Sequence, residues 1–357
     1  MIYNEKRICI SDINFKININ SEYYEEICDY MKNSIGNDLS GKSDFPKDIF
    51  YVVDNFQYQM VKEKIKESTV SEKIEYFKNQ YCYRHYYNDF VWLVEENGEW
   101  IVNLCDEKIY IYTSNENESL YVYLLRILRS IACGYNEDDT MLLLHGAAVS
   151  HNNKGIIIIG EKGSGKTSLL MRFIGNKSEV ISNDRVFISK DMDIISFPQA
   201  LRVGTGTFKK ENRLTNYFSD NLFFRKQDDI NNDEFKYLIT MEEISNIYNT
   251  VSIMKHSLDY VIIPNVKIAS SECSIEFITK EKVKKQIFDK ICFTPIDESF
   301  RYFWIYSPKL SIDEKCKNRK IIWEKLKNKV FIKVNYGTEL ETKEIIDRIM
   351  SVVNTRK

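Results

Sequence analysis

Eight consecutive residues, Gly160–Thr167 (GEKGSGKT), have the types and spacing of a loop that binds phosphate. They match the pattern G-x-x-x-x-G-K-[ST] in full. Glycines let backbone N–H groups turn towards phosphate oxygens, and the N-terminus of a following helix adds partial positive charge. In such a loop the lysine reaches the β- and γ-phosphates, and the last hydroxyl ligates Mg²⁺. The pattern predicts nucleotide binding by the following residues: Gly160, Gly163, Ser164, Gly165, Lys166, Thr167 and Ser168.

The segments on either side of this phosphate loop have the patterns of the elements that must position it. Residues 155–159 form a short β-branched apolar run that predicts a buried strand, and residues 168–173 begin a helix. Residues 141–149 predict another buried strand, which carries His145. Strands and helices alternate through this part of the chain, which predicts an α/β fold, with an α+β arrangement and a mixed sheet as the alternative.

A carboxylate lies between two apolar triplets in residues 180–188, 18 residues beyond Lys166. Mg²⁺ in nucleotide sites usually takes one or two protein carboxylates together with phosphate oxygens, so Thr167 and Asp184 are the predicted metal ligands. The alternative is that Asn183 and Asp184 form an ordinary hairpin turn. Arg202, at the end of a further predicted strand, either contacts phosphate or substrate or is a solvated surface group.

Two regions of different character divide the chain. Residues 1–135 contain predicted helices and a three-stranded meander but no chemical motif, and we interpret them as an α+β region for substrate recognition or oligomer contacts. Their last predicted helix, 118–133, is expected to end at Gly134. Residues 136–357 form the predicted nucleotide-binding kinase domain, in which the polar stretch 208–236 is either a mobile lid or an exposed loop.

Composition excludes several classes of protein. With 50 Lys and Arg against 52 Asp and Glu in 357 residues, no excess of positive charge suggests a nucleic-acid or anionic membrane partner. The eight cysteines are scattered without a C-x-x-C pair, which disfavours a zinc site. No secretory signal is apparent and no apolar run approaches the roughly 18 residues that span a bilayer, so the sequence predicts a cytoplasmic protein. The signature of ABC-type ATPases and the guanine-reading motif of GTPases are both absent.

Several residues around the loop resemble the HPr serine kinase/phosphorylase family. Leu144-His145-Gly146 precedes the loop, Ser182-Asn183-Asp184-Arg185-Val186 follows it, and weaker similarities lie at 260–264 and 334–337. The resemblance covers residues 140–350 and implies a nucleotide-binding core shared with phosphoenolpyruvate carboxykinase. It also implies that His145 lies near the γ-phosphate and metal, and that Asp184 matches the second residue of the family's Asp-Asp pair. Asn183 departs from the family, because an amide cannot accept a proton as the first aspartate can.

The resemblance implies an ATP- and Mg²⁺-dependent kinase that phosphorylates a hydroxyl, with Ser or Thr of a protein or peptide as the leading acceptor. The predicted catalytic residues are His145, Lys166, Asp184 and Arg202. With Asn183 in place of an acid, either Asp184 or His145 accepts the proton, or little base help is needed. A small-molecule hydroxyl (metabolite, nucleoside or sugar) is the alternative acceptor, and a non-catalytic nucleotide switch is the alternative function. A homo-oligomer is compatible with either.

Overall fold

The computed structural model describes residues 2–35, 43–77, 80–87, 90–114, 120–138, 141–197, 199–218, 226–227, 236–284, 292 and 312–355. The chain divides into two compact units. The first comprises Met1–Lys32, Asn37–Thr140 and Phe293–Cys316, and the second comprises Asn33–Gly36, Met141–Cys292 and Lys317–Lys357. The functional division at residues 135 and 136, with a recognition role for the N-terminal region, stays a prediction.

The N-terminal part of the chain forms one mixed sheet with helices. Its strands, as described, are β1 (Asn4–Ile10), β2 (Ile13–Asn20), β3 (Ser43–Asp44), β4 (Asp48–Val53), β5 (Thr69–Phe77), β6 (Gln80–Tyr87), β7 (Phe90–Glu95), β8 (Ile101–Leu104) and β9 (Lys108–Thr113). Its helices are α1 (Tyr24–Ile35), α2 (Asn55–Ile65) and α3 (Leu120–Asp138). Within the described residues the strand order is β1-β2-β4-β9-β8-β7-β6-β5, with β3 beside β2. The predicted meander is confirmed, because β7, β8 and β9 pair antiparallel in succession.

The prediction that this region's last helix ends at Gly134 is wrong, since α3 continues to Asp138. A glycine within a helix costs only about 1 kcal/mol relative to alanine. The apolar face of α3 buries Leu124, Leu128 and Ile131 almost completely. Burial of each such side chain contributes roughly 1.5–3 kcal/mol, so packing outweighs the local preference of glycine to end a helix.

The rest of the chain alternates strands and helices. Its strands are β10 (Leu142–His151), β11 (Lys154–Ile159), β12 (Glu179–Ser182), β13 (Arg185–Ile188), β14 (Asp193–Ser196), β15 (Leu201–Gly204), β16 (Lys226–Gln227), β17 (Lys236–Ile239), β18 (Lys255–Lys267), β19 (Cys273–Phe277) and β20 (Val330–Gly337). Its helices are α4 (Lys166–Gly175), α5 (Thr205–Lys210), α6 (Asn212–Tyr217), α7 (Met241–Tyr248), α8 (Lys280–Val283), α9 (Ile312–Leu326) and α10 (Thr342–Asn354).

The main sheet of the second unit is mixed. Strand β10 pairs antiparallel with β11 on one side and with β12 and β13 on the other. Strands β11 and β20 both run parallel to β18, while β14 pairs antiparallel with β13 and β18. The fold is therefore a mixed α/β arrangement, the alternative that the sequence left open. Strands β15, β17 and β16 form a separate small antiparallel sheet.

Apolar cores of buried side chains lie among the described residues of the second unit. One contains Leu169, Leu170 and Phe173 of α4 together with Ile345 and Ile349 of α10. Another includes Leu144 and Ile157 of the main sheet and Trp323 of α9. Because the strands contribute buried side chains to both cores, they read in the sequence as nearly continuous apolar runs.

The polar stretch 208–236 is described in part. It contributes the second half of α5, the helix α6, the strand β16 and the start of β17. Residues 219–225 and 228–235 lie outside the described residues, so the choice between a mobile lid and an exposed loop is not tested there. In the parts of the chain that the structure describes, no helix is both long and apolar enough to cross a bilayer.

Candidate functional site

The phosphate loop leaves the end of β11 and runs directly into α4, so the strand and the helix predicted around it are both present. Gly163 and Gly165 have φ angles of 82° and 95°, which few other residues adopt. Between them, the N–H of Ser164 donates to the carbonyl of Glu161 over 3.2 Å. These bends bring the first turn of α4, whose backbone N–H groups have no partners within the helix, to the mouth of the loop.

Lys166, the first residue of α4, folds its side chain back over the loop. Its Nζ donates to the carbonyl of Gly160 over 2.8 Å and to that of Glu161 over 3.0 Å. Burial lowers the pKa of Lys166, and the nearby negative charge of Asp184 opposes that effect. The amine therefore lies at the loop, and the charge of Asp184 acts on its pKa.

Asp184 occupies a kink where the backbone passes from β12 to β13. The N–H of Arg185 donates to the carbonyl of Asn183 over 2.8 Å, and Asp184 between them has a φ of 65°. Aspartate tolerates this left-handed conformation better than most residues, and such backbone outliers cluster at functional sites. The carbonyl of Asp184 accepts the N–H of Gly146 over 3.1 Å, which fastens the kink to β10.

His145 pairs with Asp184 across these strands. The imidazole Nε2 lies 3.3 Å from Oδ1 of Asp184, whose side chain is 49 % exposed. Desolvation by itself raises the pKa of Asp184, but the hydrogen bond with His145 and the charge of Arg185 outweigh it and hold the pKa well below its usual range. The carboxylate is thus kept ionised and oriented, as a ligand for a cation must be.

Gln199 is a residue of this cluster that the sequence did not single out. Its side-chain amide donates to the carbonyl of Asn183 over 2.9 Å and also hydrogen-bonds the carboxylate of Asp184. Gln199 follows β14, and no spacing rule relates that position to Asp184. Asn183, in contrast, is only 3 % exposed, so its amide is not presented to a ligand.

The remaining predicted site residues lie in different surroundings. Thr167 is half-buried in the first turn of α4, next to Lys166. The hydroxyl of Ser168 lies 2.7 Å from that of Thr207, so this side chain is directed to α5. Arg202 is exposed on β15, and its guanidinium makes no hydrogen bond or ion pair with the part of the chain that the structure describes. A catalytic role for Arg202 stays a prediction without a supporting contact.

The side chains that could ligate a metal here fit an ion that binds together with a nucleotide. Among the described residues, no group of three or more His, Cys, Asp or Glu side chains could hold a metal ion. Thr167 and Asp184 offer a hydroxyl and an ionised carboxylate, and Mg²⁺ commonly completes such a pair with phosphate oxygens and water. These two residues would therefore hold Mg²⁺ only together with a bound phosphate chain.

Comparisons with known proteins identify no family for this chain. No protein-family model matches it. No curated protein matches it. Among solved structures it is similar to an HPr(Ser) kinase/phosphatase from Coxiella burnetii, at 9 % identity and a TM-score of 0.26, over 60 % of this chain and 90 % of the other. Similarity of this extent carries no argument about fold or activity, so the resemblance to the HPr kinase family stays a prediction.

Proposed function

We propose that this chain is an ATP- and Mg²⁺-dependent phosphotransferase that moves the γ-phosphate to a hydroxyl group. One observation carries the proposal: Nε2 of His145 lies 3.3 Å from Oδ1 of Asp184, and the negative charge of Asp184 opposes the lowering of the pKa of Lys166 in the phosphate loop. A phosphate-binding lysine and an ionised carboxylate supply the charge and the metal ligand that phosphoryl transfer uses, and the imidazole beside that carboxylate can accept the proton of a hydroxyl.

Positioning and charge do most of the work in such a reaction, because its transition state is loose. The loop N–H groups would bind phosphate oxygens, and Lys166 would exchange its bonds to the carbonyls of Gly160 and Glu161 for bonds to the β- and γ-phosphates. Thr167 and Asp184 would hold Mg²⁺, which supplies further positive charge where negative charge accumulates.

His145 is the side chain best suited to accept the proton of the attacking hydroxyl. The low pKa of Asp184 makes that carboxylate a weak base, and Asn183 has no basic group at neutral pH. If Nε2 of His145 donates to Oδ1 of Asp184, then Nδ1 is the unprotonated nitrogen of the neutral imidazole. Asp184 would thus orient the imidazole as well as bind the cation. The acceptor is a Ser or Thr hydroxyl of a protein or peptide by resemblance alone.

The test uses purified protein, Mg²⁺, γ-labelled ATP and an extract of the source cells, with Lys166→Ala as the matched control. Label should move to a protein, seen on a gel, or to a small molecule, seen by thin-layer chromatography, only when Lys166 is present. Near-normal transfer by a folded Lys166→Ala variant contradicts the site assignment. Label on a metabolite instead of a protein would favour the alternative acceptor class.

A nucleotide-binding switch is the second candidate, and the buried Asn183 favours it. The residue that replaces an acid is 3 % exposed, and the adjacent Asp184 has a lowered pKa, so neither side chain is suited to general base catalysis. A switch would bind ATP tightly and leave the label on ATP with every extract fraction. Transfer of label to any acceptor contradicts this candidate.

A further inference from the structure

Tyr336 contacts the phosphate loop from within the protein core. It lies on β20 with its side chain fully buried, and its hydroxyl donates to the carbonyl of Gly165 over 3.0 Å. The same oxygen accepts the N–H of Leu169 in the first turn of α4 over 2.9 Å. Both lone pairs of the Gly165 carbonyl are therefore occupied by protein donors.

A second bond from a neighbouring strand restrains the preceding peptide. The N–H of Val266, on β18, donates to the carbonyl of Ser164 over 3.2 Å. A peptide unit is planar and trans, so its N–H points away from its own carbonyl oxygen. Restraining the carbonyls of Ser164 and Gly165 therefore directs the N–H groups of Gly165 and Lys166 to the opposite side, out of the core.

The ring of Tyr336 is itself restrained by Arg172 of α4. The guanidinium carbon lies 5.5 Å from the ring centroid, and its two terminal nitrogens donate to the carbonyl of Leu340 over 2.7 Å and that of Thr338 over 3.4 Å. Burial raises the pKa of Tyr336 well above the ordinary value for tyrosine, so its hydroxyl keeps the proton that it donates. Arg172, Tyr336 and the Gly165 carbonyl thus form a continuous contact from α4 through β20 to the loop.

We infer that Tyr336 is a positioning residue for phosphate binding, whose hydroxyl holds the Gly165–Lys166 peptide with its N–H directed at the bound phosphate chain. The inference rests on the proposed function, because it assumes that the loop binds a triphosphate. A donor fixed before binding lowers the ordering cost of the ligand, whereas a loop that must reorganise loses part of its affinity.

The experiment compares Tyr336→Phe with Tyr248→Phe in the full chain. Tyr336→Phe keeps the ring and removes only the hydroxyl. Tyr248 is also a buried tyrosine, but it packs near Gly175 at the other end of α4, about 14 Å from the loop at 1.5 Å per residue. Inorganic tripolyphosphate is the probe, because it reports on the loop without a contribution from the base or ribose.

Isothermal titration should give a Kd for tripolyphosphate that is about 5–10-fold weaker in Tyr336→Phe and unchanged in Tyr248→Phe, which corresponds to about 1–1.4 kcal/mol. Hydrogen exchange in a peptide covering residues 160–168 of the ligand-free protein should be faster in Tyr336→Phe alone. A Tyr336→Phe variant that binds as the wild type does, or equal loss of affinity in both variants, overturns the inference.

Two further outcomes are informative. If the wild-type chain itself does not bind tripolyphosphate, the proposed function fails together with this inference, whereas normal wild-type binding with an unaffected Tyr336→Phe refutes the inference alone. If Tyr336→Phe does not fold, Arg172→Lys takes its place, since lysine cannot make both carbonyl bonds of the arginine fork. That variant should bind about 2–5-fold more weakly, and wild-type affinity would overturn the inference.

Discussion

Three glycines in or beside the phosphate loop allow backbone strain and steric crowding to be measured separately. Gly163 and Gly165 both have positive φ, whereas Gly206 in α5 does not. A Cβ added at Gly165 would lie 2.8 Å from the hydroxyl of Tyr336 and 2.9 Å from Cβ of Val266. At Gly163 and Gly206 an added Cβ would meet no atom within 4 Å. Gly165→Ala therefore introduces both backbone strain and steric crowding, Gly163→Ala introduces strain alone, and Gly206→Ala introduces neither.

These contacts set the order of the expected stabilities. Left-handed backbone costs a non-glycine residue about 1–2 kcal/mol, which is the expected loss for Gly163→Ala. Gly165→Ala adds the cost of overpacking a filled core, about 1–3 kcal/mol, and should lose roughly 2–5 kcal/mol in total. Gly206→Ala should be unchanged or more stable by about 0.5–1 kcal/mol, because alanine is the better helix former.

Urea denaturation at 25 °C, followed by circular dichroism and extrapolated to water, measures the three differences. Equal stability of Gly165→Ala and Gly163→Ala would show that the contacts with Tyr336 and Val266 do not crowd the loop. Wild-type stability of Gly163→Ala would show that its positive φ carries no strain.

Four further predictions concern the metal ligand, its partner, a crowded glycine and a buried histidine. Asp184→Asn should abolish Mg²⁺-dependent turnover while changing nucleotide affinity little, because asparagine tolerates the left-handed backbone but lacks the negative charge. Equal losses of nucleotide affinity in titrations with and without Mg²⁺ would contradict this. Gln199→Ala removes the hydrogen bond to Asp184 and should weaken the apparent affinity for Mg²⁺ about 10–100-fold. An unchanged Mg²⁺ titration would show that this bond is dispensable. Gly155→Ala should lower the free energy of unfolding, measured by urea denaturation, by at least about 3 kcal/mol, because the new Cβ would lie 1.9 Å from the carbonyl oxygen of Ser257. A smaller loss would mean that β11 and β18 can move apart at little cost. Burial lowers the pKa of His151 in the folded protein. As the pH falls below about 6.5, the unfolded chain therefore binds a proton first, and the free energy of unfolding should decline until the pH reaches the lower pKa of the folded state. His151→Asn should reduce that decline, and parallel pH profiles of variant and wild type would refute the prediction.

The local parts of the site could be predicted from the sequence because each depends on a short pattern. The loop glycines, Lys166 and Thr167 are fixed by one motif, and the strands around them follow from apolar runs. Asp184 stands out as a carboxylate between apolar triplets. The same local reasoning placed the end of α3 at Gly134, where burial of the helix decides the outcome instead.

The supporting contacts could not be predicted in this way. Tyr336 lies 171 residues beyond the Gly165 carbonyl that it binds, and the contact exists only because β20 pairs with β18. Gln199 reaches Asn183 and Asp184 across β13 and β14. Such contacts depend on strand order and register, which a single sequence does not specify through any local pattern.

The spacing between His145 and the phosphate loop has a physical origin in the hairpin of β10 and β11. Gly146 pairs with Ile159, so the next residues outward, His145 and Gly160, adjoin at the end of the hairpin. The two-residue turn that sets this register consists of Asn152 and Asn153, whose φ angles of 51° and 56° are those of a tight hairpin turn that asparagine favours. One residue more or fewer in the turn would shift the register of β11 against β10 and so change the position of the phosphate loop relative to His145. The 15-residue separation of His145 from Gly160 is therefore the length of two strands and a two-residue turn, and it is the register of that hairpin that brings a histidine to the loop.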